Sequence, residues 1–369
     1  MNYRRMPIEV ESPEEVGYGT IKCNLAESST RDRVLSDLGL NLDLNKLVLQ
    51  YGDHRGHPGL RQLLADEAAC DPRNVLITTG AAGALFIIST SLLSPKDHLI
   101  VLRPNYATNI ETPRAIGCEI SFVDLQFERG WRVTADDIAA QIKPNTKLIS
   151  LTVPHNPTGT MLPRAELTQI AEMARANDCW LLVDETYRDL TLGDIPPYAT
   201  TLGDNVISVS SLSKAYGLPG LRMGWLLTRN AALAELFLAA KEQMHISGAI
   251  IEEEIAFQVL RQRATFVPRI QAEVQRGLGL VRVWMAQQDL LEWVEPQGGV
   301  VCFPRIRPTA LVDVERFYQI LNKDFGTFVG PGHWFEQDRR YMRVGFGWPT
   351  LSELEEGLEN VSSALKRAA

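Results

Sequence analysis

Short apolar segments recur between residues 75 and 228 of the 369-residue chain, and they constrain its fold more than any other feature. Each is rich in aliphatic and β-branched residues and is bounded by Gly, Pro, Asn or Asp, which is typical of strands buried on both faces. Segments with helical periodicity, such as residues 164–177, separate most of them. This alternation predicts an α/β fold with a mainly parallel, seven-stranded sheet sandwiched by helices. The predicted strands are 75–78, 98–102, 119–123, 147–153, 179–184, 206–210 and 224–228.

The last of these strands has an unusual connection. The segment between Ser210 and Gly224 is short and contains Pro219 and Gly220. A crossover between parallel strands needs a helix and its loops, for which this segment leaves little room. We therefore expect the strand at 224–228 to run antiparallel to its neighbours.

The sequence pattern changes after about residue 262, which indicates a second, smaller α+β domain. Its predicted elements are a long helix over 270–285, short strands on either side of Gly298 and Gly299, a helix over 312–322, a strand at 341–346 and a helix from Ser352. The first forty or so residues have no strand of their own. We predict a large domain over 46–262, a small domain over 263–369, and an N-terminal segment, 1–45, that packs with the small domain.

Composition and charge exclude several classes of protein. The chain is 45% apolar and 22% charged, as globular proteins are, and its net charge of −8 does not favour nucleic acid or an anionic membrane. No apolar stretch is long enough to span a bilayer, and the N-terminus lacks the apolar core of a signal peptide. The five cysteines are scattered, which predicts neither a metal site nor disulfides and favours the reducing cytoplasm.

The strongest functional signal is Lys214, in the segment SLSKAYGLPGLRMGW that follows a predicted strand. Chemistry at the α-carbon of an amino acid needs an electron sink, which pyridoxal 5′-phosphate (PLP) supplies after condensing with an amine. One lysine can hold the PLP aldehyde and later shuttle protons, and Ser211 and Arg222 can bind a phosphate. A lone Ser-x-x-Lys could equally be part of a surface loop, but the full segment is far more specific.

This segment resembles the cofactor-lysine signature of the class I/II aminotransferases, which are fold type I PLP enzymes. Further motifs of that family follow in the same order over nearly the whole chain. The resemblance implies the aspartate-aminotransferase fold, PLP bound to Lys214, and activity on an L-amino acid.

Asp184 ends the predicted strand at 179–184, and a carboxylate there points into the crevice where ligands bind. It can pair with the pyridine nitrogen of PLP and strengthen the electron sink, although an aspartate at this place can also cap a helix. By the resemblance, Tyr187 binds the phenolic oxygen of PLP. Asn156, in HNPTG, can offer its amide to that oxygen and to the substrate, or it forms only an Asn-Pro turn.

Four further positions suit the phosphate and the ring of PLP. Gly80, Ala81 and Ala82 open a predicted helix, and their backbone N–H groups can bind an anion, unless the helix start has no ligand. Tyr106 follows the predicted strand at 98–102 and can stack on the pyridine ring, with a core tyrosine as the alternative.

Two residues lie outside these strand ends. Tyr51 begins the segment YGDHRGHPGLRQ, which resembles a family block whose tyrosine reaches the phosphate of the other subunit, and this implies a homodimer with shared active sites. Arg343, in YMRVGF, is implied by the resemblance to bind the substrate α-carboxylate, which suits a guanidinium. The alternative for Arg343 is a salt bridge on an edge strand.

The N-terminal segment departs from the family pattern, which commonly has a glycine-containing substrate loop. Residues 24–30 are NLAESST and offer Glu27, with Asp32 and Asp53 as weaker candidates, to bind a cationic, arginine-like side chain. Otherwise Glu27 caps a helix that starts near Thr30 or lies in solvent. No second arginine for a dicarboxylic substrate is evident.

The leading interpretation is an aminotransferase that passes an amino group to a 2-oxo acid. The second is a PLP-dependent lyase or cyclase acting on a hydroxylated, arginine-like amino acid, because several segments, such as 298–305 and 329–335, also resemble capreomycidine synthase. Both start with deprotonation of the α-carbon, so the cofactor motifs cannot separate them. Decarboxylation is a third chemistry on this fold. The sensor half of a transcription regulator would need a DNA-binding domain, and no helix-turn-helix pattern precedes the first motif.

Overall fold

The computed structural model describes all 369 residues, Met1 to Ala369. One large sheet and three small ones make up its β-structure. The strands are β1 (Cys23–Asn24), β2 (Val75–Thr79), β3 (His98–Arg103), β4 (Glu119–Asp124), β5 (Thr146–Thr152), β6 (Trp180–Asp184), β7 (Val206–Ser211), β8 (Met223–Thr228), β9 (Leu291–Glu292), β10 (Val301–Cys302), β11 (Arg305–Ile306), β12 (Thr327–Phe328), β13 (Gly330–Pro331) and β14 (Met342–Gly345).

Helices connect most of these strands. They are α1 (Pro7–Val10), α2 (Pro13–Val16), α3 (Pro58–Glu67), α4 (Gly80–Leu92), α5 (Thr108–Ile116), α6 (Ala135–Ala139), α7 (Arg164–Ala176), α8 (Ala231–His245), α9 (Ile250–Arg261), α10 (Arg263–Met285), α11 (Val314–Gln319) and α12 (Leu351–Ala368). No helix of the chain combines the length and the apolar character that crossing a membrane requires.

The large sheet has seven strands in the order β2-β8-β7-β6-β5-β3-β4. Each of the seven predicted apolar segments forms one of these strands, so the predicted α/β fold is confirmed. β8 pairs antiparallel with both β2 and β7, as its short connection predicts, and the other neighbours are parallel. Because β8 is reversed, it starts at the edge where its neighbours end.

Side chains of the central strands alternate between two apolar cores, one on each face of the sheet. In β6, Leu182 belongs to the core that α4 and α8 cover, whereas Leu181 and Val183 belong to the core on the α7 side. Burying one such aliphatic side chain stabilises the fold by about 1.5–3 kcal/mol. Helices on both faces therefore fix the strand ends, and with them any side chain that follows a strand.

The carboxyl-terminal part of the chain carries α10, α11, α12 and the small sheets β10-β14-β13 and β9-β11. β1 of the N-terminal segment pairs in parallel with β12, so the expectation that the first forty residues contain no strand is wrong. A two-residue strand is too short to have a recognisable sequence pattern, and backbone bonds such as Leu25 N–H to the Phe328 carbonyl (2.8 Å) hold it in place. The domain boundaries near residues 45 and 262 stay a prediction.

The predicted helices are present, but the bounds of two of them differ, and one of these is α11, which spans Val314–Gln319 where 312–322 is predicted. α7 and α12 begin within a residue of their predicted starts, but α10 begins at Arg263 and not near residue 270. Pro268 explains the difference, because proline lacks a backbone N–H and usually ends a helix, whereas α10 runs through it.

Candidate active site

A cavity of about 500 Å³ lies at the edge of the large sheet where the parallel strands end. Segments that follow β3, β5, β6 and β7 form one wall, and the N-terminal segment and β14 contribute the other. The sequence-predicted residues that line it are Ala81, Ala82, Tyr106, Asn156, Asp184, Tyr187, Ser211, Lys214, Arg222, Arg343 and Glu27. The fold thus brings together residues spread over more than three hundred positions of the chain.

Lys214 lies on the turn that follows β7. The N-terminal segment holds this turn, because the backbone N–H and the hydroxyl of Thr30 both donate to the Lys214 carbonyl, at 2.9 and 3.2 Å. Burial lowers the pKa of the Lys214 amine, and the charge of Glu27 opposes this shift. A lowered pKa favours the neutral amine, which is the form that acts as nucleophile and base.

Asp184 is only 4% exposed at the end of β6. Its carboxylate accepts hydrogen bonds from the backbone N–H of Thr186 (3.1 Å) and from the Thr186 hydroxyl (2.6 Å), but it has no cationic partner in the chain. Burial raises the pKa of Asp184. Buried carboxylates are normally paired with a cation. The protonated pyridine nitrogen of PLP would be that cation here.

Arg343 lies across the cavity on β14 and is also 4% exposed. Its guanidinium donates to Asn156 Oδ1 (3.2 Å) and to the Ala26 carbonyl (2.7 Å), and it contacts no carboxylate of the chain. Burial lowers the pKa of Arg343. The alternative of an edge-strand salt bridge is wrong, because β14 is the central strand of its sheet. A ligand carboxylate would satisfy this guanidinium.

The start of α4 and the turn before β8 form a cradle for a phosphate. Gly80 has a φ of 67°, and a Cβ on it would lie 2.7 Å from Nη2 of Arg222. The Gly80 N–H donates to the Arg222 carbonyl (2.8 Å), which leaves the first-turn N–H groups of Ala81 and Ala82 for an anion. With the Ser211 side chain on the same wall and the unpaired carboxylate nearby, the residues present fit PLP.

The N-terminal segment brings carboxylates to the cavity. Glu27 lines it and accepts a hydrogen bond from the Tyr18 hydroxyl at 3.2 Å. No helix begins near Thr30, so the interpretation of Glu27 as a helix cap is wrong. Glu14, on α2, lines the same cavity. The segment thus brings four glutamates to the cavity, since Glu9 and Glu15 line it as well. Glu15 pairs with Arg5 (3.2 Å) and Glu9 accepts a hydrogen bond from the Met6 N–H (2.8 Å), which leaves the carboxylates of Glu14 and Glu27 for a ligand.

The two weaker candidates of that segment lie elsewhere. Asp32 accepts a hydrogen bond from Nε1 of Trp348 (2.9 Å), and Asp53 pairs with Arg61 (2.7 Å). Neither lines the cavity, so assigning them to the substrate side chain is wrong. Each is bound to a partner that the sequence does not reveal, Trp348 for Asp32 and Arg61 for Asp53.

Comparison with known proteins decides the family. The family described as Aminotransferase class I and II matches residues 24–361. The chain belongs to this family. PLP is therefore its cofactor, and the chain is a PLP-dependent aminotransferase.

Individual relatives of this aminotransferase cover most of its length. Capreomycidine synthase of Streptomyces vinaceus is 32% identical over 328 residues, which are 88% of this chain and 82% of that protein. Arginine–pyruvate transaminase AruH of Pseudomonas aeruginosa is 32% identical over 270 residues, 71% of this chain and 68% of that protein. A PLP-dependent aminotransferase from Streptococcus suis 89-1591 has a TM-score of 0.91 and 26% identity, with 100% of this chain and 99% of that chain covered.

Tyr51 of this aminotransferase lies outside the cavity. It is 79% exposed, in a surface region that also contains Leu49 and the segment 247–252. Within one chain it therefore touches none of the residues around Lys214. The role predicted for Tyr51, in the active site of a second subunit, stays a prediction.

Sequence reasoning missed several residues of the aminotransferase cavity. The Thr186 hydroxyl donates a hydrogen bond to Asp184. Its position two residues after a strand-ending aspartate could have predicted this, because aspartate and threonine at that spacing form local turns. Ser213 and Trp334 also line the cavity, next to motifs that the sequence singles out. No sequence pattern predicts that Glu14 lines the cavity, because it lies in a short acidic stretch without periodicity.

The cradle at Gly80 yields a prediction about cofactor affinity. Gly80→Ala puts a side chain on a residue with left-handed backbone angles and pushes it against Arg222, which costs about 1–3 kcal/mol. Relieving this strain moves Arg222 or the start of α4, and both are predicted contacts of the PLP phosphate. We expect the dissociation constant for PLP, measured by absorbance titration of the apoprotein, to rise about tenfold or more. Gly83→Ala on the same helix is the control, because its Cβ would meet Thr79 Cβ at 3.6 Å and Thr78 Cβ at 3.9 Å, which are ordinary van der Waals contacts. Equal constants for both variants would contradict the assignment.

Proposed function

We propose that the chain transfers the amino group of an L-amino acid with a cationic, arginine-like side chain to a 2-oxo acid. The observation that carries this proposal is one cavity that contains an unpaired lysine, an unpaired buried carboxylate and an unpaired buried guanidinium, namely Lys214, Asp184 and Arg343. The first two suit PLP and the third suits the α-carboxylate that every amino acid and every 2-oxo acid carries.

PLP, once bound, supplies an electron sink for negative charge at the substrate α-carbon. Lys214 Nζ would hold the cofactor at rest and, once the substrate amine has replaced it, would accept the proton from the α-carbon, because its lowered pKa favours the neutral amine. Asp184, held by Thr186, keeps the pyridine nitrogen protonated. Tyr187 and Asn156 line the cavity beside Asp184. The Tyr187 hydroxyl donates to the Ser28 carbonyl (2.9 Å), and with PLP bound it would instead donate to the phenolic oxygen, together with the Asn156 amide.

The remaining cofactor residues hold the phosphate and the ring. Arg222, Ser211 and the N–H groups of Ala81 and Ala82 would bind the phosphate. Tyr106 lines the cavity and would stack on the pyridine ring. Arg343 and Asn156 share a hydrogen bond and together position the substrate α-carboxylate, which orients the α-carbon for deprotonation.

The cationic side chain of the substrate binds the carboxylates of Glu27 and Glu14. Both line the cavity on the N-terminal side, away from the strand ends that hold the cofactor. Charge-assisted hydrogen bonds to a guanidinium are strong when partly shielded from water. One of the relatives, arginine–pyruvate transaminase, carries a name that fits an arginine-like substrate.

Cyclisation is the second candidate activity, favoured by the 32% identity with capreomycidine synthase over 88% of this chain. Elimination and cyclisation use the same first deprotonation as amino transfer, and the reactions then diverge. Product analysis separates them, because only amino transfer consumes a 2-oxo acid.

The first prediction from this proposal concerns the product. Incubation of the holoenzyme with L-arginine and pyruvate should form alanine and the 2-oxo acid of arginine in equal amounts, as mass spectrometry would detect. Omitting pyruvate should limit the reaction to about one turnover, because no acceptor then regenerates the enzyme. Multiple turnovers of a side-chain-hydroxylated arginine without a 2-oxo acid, with a dehydrated or cyclised product, would establish the second activity instead.

The second prediction concerns the side chain of the substrate. Glu27→Gln should lower kcat/KM for arginine by a factor that corresponds to about 1.5–3 kcal/mol, the scale of a hydrogen bond between charged groups. Alanine, which has no side chain to bind there, should be almost unaffected. Asp32→Asn is the matched control, since Asp32 belongs to the same segment but binds Trp348 outside the cavity. Equal losses for arginine and alanine, or a preference for glutamate or leucine, would exclude the proposed substrate class.

We also propose that the enzyme works in the cytoplasm as a homodimer whose active sites are shared. Its five cysteines are free thiols, which suits a reducing compartment. Tyr51 is 79% and Leu49 72% exposed, and Ile246 and Ile251 are exposed near them, a cluster of apolar side chains of the kind that marks an interface. In such a dimer Tyr51 binds the PLP phosphate of the partner.

Subunit exchange tests the shared site. Tyr51→Phe and Lys214→Ala variants should each have impaired activity, whereas a mixed dimer combines the intact Lys214 of one subunit with the intact Tyr51 of the other. We therefore expect activity to return after the two variants are mixed under conditions that allow exchange. No return of activity in dimers that native mass spectrometry identifies as mixed would contradict this arrangement.

A further inference from the structure

A buried network of charged and polar side chains lies beside the cavity and has no part in the chemistry described above. Its members come from four separate segments: Glu67 ends α3, Arg188 and Asp189 follow Tyr187, Tyr216 follows Lys214, and Arg263 begins α10. The network thus touches both turns that carry the cofactor residues.

Asp189 is the centre of this network. Its carboxylate accepts a hydrogen bond from the Tyr216 hydroxyl at 2.7 Å and two from Arg263, at 2.7 and 3.2 Å. Arg188 adds a contact at 3.1 Å and also pairs with Glu67 at 2.6 Å. Glu67 pairs with Arg263 as well, at 3.0 Å, so the network closes on itself.

The electrostatics indicate that Asp189 is charged although its side chain is only 13% exposed. Burial alone would raise its pKa, but the hydrogen bond and charge of Arg263 and the charge of Arg188 outweigh burial and lower the pKa of Asp189. Arg188 is 5% exposed and stacks over the Tyr198 ring at 3.9 Å. Buried ionic networks contribute little net stability compared with apolar packing, and their best-attested use is to specify one geometry.

The network fixes the two cofactor turns relative to each other. Tyr187 precedes Arg188 directly, and Lys214 is two residues before Tyr216, so the hydrogen bond from Tyr216 to Asp189 joins the turns on the side away from the cavity. On the cavity side, Thr30 holds the Lys214 carbonyl.

Helix α10 is tied to the same place by a second contact. Nε2 of Gln271 donates to the carbonyls of Asp189 and Thr191, each at 3.3 Å. Arg263 and Gln271 therefore connect the turn after β6 to the long helix at the start of the carboxyl-terminal part of the chain. A shift of α10 would act on the Tyr187 and Lys214 turns through Asp189.

We propose that Asp189 is a positioning residue that sets the distance between the Tyr187 hydroxyl and the Lys214 amine through Tyr216 and Arg263. The inference rests on the proposed roles of Lys214 and Tyr187. The geometry matters because displacements of about 1 Å at a reacting group can cost about a hundredfold in rate. Loss of the network should therefore change the chemical step more than it changes substrate binding.

Tyr216→Phe is the most conservative test, because it removes one hydroxyl and keeps the buried ring. We expect kcat to fall about tenfold while KM changes less than about twofold. The apparent pKa of the visible absorption band of the bound cofactor, measured by pH titration without substrate, should shift by about half a unit or more. Arg263→Lys keeps the cation but loses the two-point contact, so it should change kcat and the band in the same way.

Tyr318→Phe is the matched control, since Tyr318 is equally buried and its hydroxyl donates to the carbonyls of Arg339 and Tyr341, apart from the cavity. A purely structural role would give both tyrosine variants the same loss of melting temperature, the same kcat and an unshifted band, and that result would overturn the inference. A wild-type protein without a cofactor band would instead overturn the proposed function, and the inference with it.

Discussion

Burial of charge without a counter-ion is the constraint on which the site depends. Lys214, Asp184 and Arg343 converge on one cavity, and the chain pairs none of them with an opposite charge. Isolated buried charges are costly, and ligand groups of opposite charge would remove that cost. PLP offers the aldehyde and the pyridine nitrogen, and an amino acid offers the carboxylate. Because no opposite charge lies beside them, burial shifts the pKa of all three groups in the direction that favours the neutral form.

The sheet makes this convergence possible. Parallel strands end at one edge, and the reversed β8 begins at that edge, so Arg222 meets the start of α4. Close approach of backbones is required there, since a Cβ on Gly224 would lie 2.4 Å from the carbonyl carbon of Gly80. On the far wall, the N-terminal segment completes the cavity through β1, which joins it to β12 and brings Glu27 opposite the strand ends. Recognition of the cofactor therefore depends on the strand ends, whereas recognition of the substrate side chain depends on the N-terminal segment.

The fold and the cofactor side of the cavity could be predicted from the sequence, because both follow from local patterns. Apolar segments mark the strands, and polar residues directly after them, such as Asp184 and Lys214, must reach the same edge. The rest depends on tertiary contacts that leave no local pattern. Glu14 faces the cavity only because α2 folds back over it, and the interactions around Asp189 join residues up to about two hundred positions apart. A two-residue strand such as β1 is likewise visible only in its pairing.

The central claim is that Lys214 is the lysine that holds PLP, and covalent labelling tests it most directly. Borohydride reduction of the holoprotein fixes the cofactor to the amine that binds it, and mass spectrometry of proteolytic peptides then locates it. The account predicts one pyridoxyl phosphate group per chain, on Lys214. Label on Lys241, which is fully buried and without a hydrogen-bond partner, or on any other lysine, would contradict it.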